Sequence, residues 1–89
     1  MQDLQTYVKE QVAKIIPSFE NLELRASVSE TSYSVEFFVT VNDEKKQCYE
    51  LVDDGVIDEE KLDEVLRRIA EYIRKGADYK KGEINKVSF

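Results

Sequence analysis

The spacing of apolar residues predicts an α+β fold, a two-layer sandwich in the order α-β-β-β-α-(β), with an antiparallel meander sheet and two helices on one of its faces. Three observations carry this. Residues 3–16 and 58–75 repeat apolar side chains with a helical period. From Asn21 to Val52 the period drops to two. The links between those alternating runs are short enough for hairpins and too short for crossover helices. With 89 residues and 42% hydrophobic content, the chain has material for one core, so residues 1–89 form a single domain.

In the first helix, Leu4, Tyr7, Val8, Val12, Ile15 and Ile16 make one face, interrupted at Gln11. Asp3 is placed to cap its start and Pro17 to end it, because proline offers no N–H and forces Ile16 out of helical geometry. Leu22, Leu24, Ala26 and Val28 alternate with Glu23, Arg25 and Ser27 in a half-buried strand. After the connection at residues 29–32, Tyr33, Val35, Phe37, Val39 and Val41 alternate with Ser34, Glu36, Phe38 and Thr40 in a second. Residues 42–45 supply turn chemistry, and residues 46–52 read as a third strand that turns Tyr49 and Leu51 inward and is broken at Gly55.

Asp58 caps the second helix, with Ile57 and Leu62 placed as a hydrophobic staple. Leu62, Val65, Leu66, Ile69, Tyr72 and Ile73 form its apolar stripe, and Gly76 is the natural stop. Asp63 with Arg67, Glu64 with Arg68, and Glu71 with Lys75 are spaced for ion pairs on the exposed side. The tail is less regular; residues 83–89 read as a short fourth strand docked through Phe89.

The inventory argues against an enzyme. The chain has no His, one Cys and no glycine-rich phosphate loop, which removes Ser-His and Cys-His nucleophiles, most zinc sites and nucleotide cradles. Cys48, with no adjacent base, reads as a structural thiol and cannot form an internal disulfide. The segment ELVDDGVIDEEK places Gly55 sixth in a twelve-residue loop but puts Val52 and Lys61 at positions three and twelve, where an EF-hand needs oxygen ligands. No cofactor or metal is expected. An N-terminus without a signal-peptide pattern, no membrane-length apolar run and a lone cysteine point to the cytoplasm and to no membrane association.

The charge is concentrated. Residues 53–64 hold seven acids, Asp53, Asp54, Asp58, Glu59, Glu60, Asp63 and Glu64, against one base, a local balance equal to the −6 of the entire chain. Acids in the first turn of a helix oppose its partial positive charge, which accounts for Asp58, Glu59 and Glu60. Asp53 and Asp54 precede the cap and gain nothing from it. Mutual repulsion within the cluster costs stability, so these seven residues are assigned to the binding of a basic partner. Phe38, apolar on the polar side of its strand, joins them as an anchor. The α-β-β-β-α order is shared by double-stranded-RNA-binding domains, yet the start of the second helix reads DEEKLDE where those domains present lysine to phosphate, so no nucleic acid is expected as partner.

The strand pair LELRASVSETSYSVEFFV followed by the acidic entry DDGVIDEEKLDE, in a short cysteine-poor chain, resembles the small immunity proteins of bacterial contact-dependent growth-inhibition and related polymorphic toxin systems. The resemblance implies a cytoplasmic antitoxin, monomer or homodimer, that binds one cognate basic toxin domain, often a nuclease, and covers its substrate cleft. It carries over no individual site residue. The chain is also similar in size class and charge to the acidic secretion chaperones of bacterial injection systems, which dimerise and wrap an effector segment. A third reading is an interaction module that offers a sheet edge to an extended peptide.

Overall fold

The computed structural model describes residues 3–89, which form three helices and four strands in the order α1 (Leu4–Ala13), β1 (Asn21–Val28), β2 (Tyr33–Val41), β3 (Glu44–Gln47), α2 (Cys48–Asp53), α3 (Glu59–Arg74) and β4 (Asn85–Ser88). The strands make one antiparallel sheet in the order β3-β2-β1-β4. All the helices pack on one side of it, so the expected two-layer α+β architecture is the one observed, with one more helix than the sequence implies.

The alternation in β1 and β2 does what its period requires. Leu22, Leu24, Ala26 and Val28 are buried, as are Val35, Phe37 and Val39 opposite them. Tyr33, assigned to the same face, lies at the strand's start beside α3, with the Arg74 guanidinium carbon 5.7 Å from its ring centre, and is 42% exposed. The stripe Leu62, Val65, Leu66, Ile69 and Ile73 of α3 closes over this sheet face, and Ala70 is buried with it. Helix α1 lies along α3 through Val8 and Val12, with the Tyr7 and Tyr72 rings stacked at 4.0 Å between them. Gln11 does not interrupt the apolar face of α1. It is buried within it, and among the described residues its Oε1 has no hydrogen-bond partner.

The chain reversals are fixed by local bonds and by ties to distant elements. Asp3 accepts from the Thr6 N–H at 2.8 Å and caps α1, which ends at Ala13, three residues short of Ile16. Asn42 and Asp43 both take positive φ, as a two-residue type I′ hairpin between β2 and β3 demands. Arg74, in the last turn of α3, donates through Nε to the Ser29 carbonyl at 2.8 Å and through a terminal nitrogen to the Ser32 carbonyl at 3.1 Å, tying the β1–β2 loop to the helix layer. At the other edge Leu24 and Phe89 exchange both backbone bonds, at 2.9 and 3.1 Å, so the tail is docked as expected and Phe89 packs against the core. The fourth strand itself is shorter than residues 83–89, because Asn85 turns the chain by accepting from the Lys80 N–H and donating to the Lys80 and Val28 carbonyls.

The third strand is the main correction. It stops at Gln47, and Cys48–Asp53 is a helix. The segment CYELVD fits both periods: alternation sets Tyr49 and Leu51 together, while helical spacing sets Cys48, Leu51 and Val52 together. The helix wins because it buries Cys48 and Leu51 and half-buries Val52 against β2 and α3, and leaves Tyr49 and Glu50 in solvent. Gly55 ends this helix and breaks no strand. With φ at +76° it lets its own N–H reach the Val52 carbonyl at 3.0 Å and the Val56 N–H reach the Leu51 carbonyl at 2.9 Å, a Schellman closure.

Two stability measurements test these assignments. Nothing lies within 4 Å of a Cβ built on Gly55, so Gly55→Ala should cost only the left-handed backbone penalty, about 1–2 kcal/mol in urea denaturation, with Gly55→Asn costing less. Gln11→Met removes a buried, unpartnered acceptor at similar volume and should raise the unfolding free energy by about 1 kcal/mol. A neutral or destabilising result would mean that the Gln11 amide is satisfied in solution.

Candidate protein-binding surface

The seven acids lie at the corner where α2 gives way to α3, and all are exposed. Three are engaged. Asp54, the C-terminal cap of α2, accepts from Lys46 Nζ at 2.8 Å, which holds that ammonium above its ordinary pKa and ties β3 to the end of α2. Asp58 caps α3 by accepting from the Glu60 N–H at 2.8 Å, with Ile57 before the cap and Leu62 inside it both buried. Glu64 pairs with Arg68 one turn on. The expected pairs of Asp63 with Arg67 and of Glu71 with Lys75 do not form. Among the described residues, Asp53, Glu59, Glu60 and Asp63 close no ion pair.

Two aromatic residues border this acidic corner, and sequence reasoning assigned neither to it. Tyr33 at the start of β2 and Tyr49 in the first turn of α2 are 42% and 44% exposed. With Glu36, Asp63 and Leu66 they line a groove of about 250 Å³ between the edge of β2 and the helix layer. A second hollow, lined by Tyr33, Glu60, Asp63, Glu64 and Arg67, adjoins it. Partial burial raises the Tyr49 hydroxyl pKa, and the neighbouring Cys48, Asp63, Tyr33 and Glu59 push in the same direction. Tyr49 is thus a neutral phenol among carboxylates. The available signal was the helical spacing of Cys48, Leu51 and Val52, which puts Tyr49 outside.

Phe38 is brought to a different place. Its strand parity points it to the outer sheet face, away from the helices, as expected. There it lies half-buried between Arg25, whose guanidinium carbon is 5.6 Å from the ring centre, and Lys45, whose Nζ is 5.2 Å from it. Lys45 is also paired with Glu23. Such cation–π contacts contribute about 0.5–1 kcal/mol each at exposed sites and give Phe38 a structural role between β1 and β3. It does not adjoin the acids.

Cys48 is fully buried, and burial raises its thiol pKa. Among the described residues no group of three or more His, Cys, Asp or Glu side chains is gathered to hold a metal ion, and no helix is long and apolar enough to cross a membrane. An apolar hollow under the tail, between Leu4, Tyr72, Tyr79 and Val87, has Asn85 on its wall, whose amide is already committed to backbone. The groove beside Tyr49 therefore combines exposed aromatic surface with unpaired charge in a way that the hollow does not. No family model matches the chain, and no curated protein or solved structure matches it significantly.

Reaction with a thiol reagent tests the burial. Folded protein should leave Cys48 unmodified on the timescale in which urea-unfolded protein reacts to completion; equal rates would mean that α2 opens readily.

Proposed function

We propose that this domain acts by binding, as an inhibitor of a basic protein partner, in the manner that its resemblance to bacterial immunity proteins implies. The partner is a cognate toxin domain with a lysine- and arginine-rich substrate cleft, a nuclease being the chemistry such a cleft serves. The carboxylates of residues 53–64 stand where phosphates would stand in that cleft, in the cytoplasm of the producing cell.

The observation that carries this reading is the set of acids left without internal partners beside two exposed tyrosines. A cluster built only to stabilise α3 would need first-turn acids and i,i+4 pairs. Asp53 lies outside α3, and Asp63 leaves Arg67 unpaired to face the groove with Tyr33 and Tyr49. Unpaired surface charge raises the rate of encounter with an opposite charge by 10- to about 1,000-fold, and tyrosine is among the residue types that anchor interfaces once docked. Phe38, on the opposite face, is assigned a structural role and leaves this surface to Tyr33 and Tyr49.

The test uses purified domain as bait in lysate of the source organism. A folded basic domain recovered at low salt, released as salt rises, and inhibited stoichiometrically in its own activity is the expected result. In the variant Asp53→Lys, Glu59→Lys, Glu60→Lys, which touches no ion pair and no cap, association with that domain should slow at least tenfold at about 50 mM salt and lose most of its salt dependence. Unchanged association kinetics in a folded variant would remove the electrostatic basis of the proposal.

A further inference from the structure

We infer that the open edge of β2 over residues 33–37 accepts an extended segment of the partner, alternating basic and apolar residues, as an added β-strand. The inference rests on reading the acidic corner as a partner surface and names the way in which that surface is engaged.

The edge is open because β3 is short. β3 pairs with β2 only from Phe38 to Val41, after which the chain turns into α2. Residues 33–37 of β2 have no strand on that side. The direction of their backbone groups follows from the far edge of the sheet: Leu24 exchanges both of its bonds with Phe89, so the flanking Glu23 and Arg25 turn theirs toward Phe38 and Glu36. The alternate residues Tyr33, Val35 and Phe37 then turn N–H and C=O away from β1. The Phe37 backbone lies beside the buried Cys48 side chain. Among the described residues no backbone group takes up those of Tyr33 and Val35 on the open side. Five residues at about 3.3 Å each give an edge of roughly 17 Å, the length of an ordinary strand.

The surroundings specify the occupant. A strand laid along this edge enters the groove beside Tyr49, with one set of side chains against Leu66 and Tyr49 in the helix layer and the other set on the outer face beside Glu36. Asp63 on one wall and Glu60 and Glu64 beyond Tyr33 attract lysine and arginine, and the cations at that end are Arg67 and Arg74, whose guanidinium carbon is 5.7 Å from the Tyr33 ring centre. A second copy of this chain would bring its own Glu36 and Asp63 against these, which opposes self-pairing. Glu36 is aligned for the outer side chains by the Gln47 amide, which donates to it at 3.1 Å.

The experiment follows backbone amides of ¹⁵N-labelled protein by NMR while an acetylated, amidated Lys-Val-Lys-Val-Lys-Val-Lys peptide is added, in parallel with its Glu-Val counterpart and with the basic peptide N-methylated at alternate residues. The basic peptide should slow hydrogen exchange of the Val35 amide at least tenfold and shift Tyr33, Tyr49 and Asp63. The acidic and N-methylated peptides should bind at least tenfold more weakly. Tyr33→Pro, at the first strand position where proline is tolerated, should weaken the basic peptide further than Tyr33→Ala does; if the proline variant fails to fold, the N-methylated peptide carries the test alone. Equal binding of the N-methylated peptide, no binding of the basic one, or shifts confined to the start of α3 with Val35 exchange unchanged would overturn strand addition while leaving the electrostatic proposal standing. Protection of Val35 that grows with protein concentration and no peptide would identify a second copy as the occupant and would also overturn it. Protection by the peptide that survives the triple charge reversal would keep the edge and remove the role given to Asp53, Glu59 and Glu60.

Discussion

The closure of the α3 stripe over the inner face of β1 and β2 is the contact on which the rest of the molecule depends. Leu24, Phe37, Leu62 and Ile69 are fully buried in it, and each apolar side chain of that size withdrawn from water is worth roughly 1.5–3 kcal/mol. A chain of this length has no second core to fall back on. Everything else is fitted to this layer: α1 lies beside α3, Arg74 holds the β1–β2 loop to its end, and Phe89 closes the far strand. Because the helices occupy one face only, the outer face of the sheet is left to Glu23, Arg25, Glu36, Phe38 and Lys45, which cover it with ion pairs and cation contacts in place of a second helix layer.

The same closure limits how far β3 can run. A longer β3 would hold Cys48 and Leu51 on the sheet edge, whereas the helix tucks both against β2 and α3. Two consequences meet at one place. The edge of β2 loses its strand partner beyond Phe38, and the turn from α2 to α3 gathers seven carboxylates at the surface next to that edge. Natural sheets usually blunt an open edge with charge, because a bare one invites aggregation. Here acidic groups stand around it, and the proposed strand addition would use them to favour a basic strand over another copy.

The acids also show how stability and binding compete. Asp54, Asp58 and Glu64 are each engaged within the fold, in a salt bridge to Lys46, in a helix cap and in a pair with Arg68 respectively. Asp53, Glu59, Glu60 and Asp63 add to the local repulsion without an ion pair to offset it, and only the helix dipole favours Glu59 and Glu60 where they stand. A domain under selection for stability alone would spread these charges. In the binding function proposed for this domain, their concentration is a surface kept unsatisfied so that a basic partner can satisfy it.

Much of this molecule was determined by its sequence alone. Periodicity located α1, β1, β2 and α3, the caps at Asp3 and Asp58 follow from side chains that bond the nearest backbone, and the outward parity of Phe38 follows from counting along a strand. All of these are local, set by residues within a turn or a pleat of one another. The six residues of α2 were decided otherwise. CYELVD satisfies a strand and a helix equally well, and only the competition to bury Cys48 and Leu51 against β2 and α3 selects the helix. Tertiary structure likewise decided that Tyr33 and Tyr49, sixteen positions apart in the chain, line one groove with Asp63, and that Phe38 faces away from it. Such placements depend on which surfaces remain after the core has closed, and no short window of sequence contains that information.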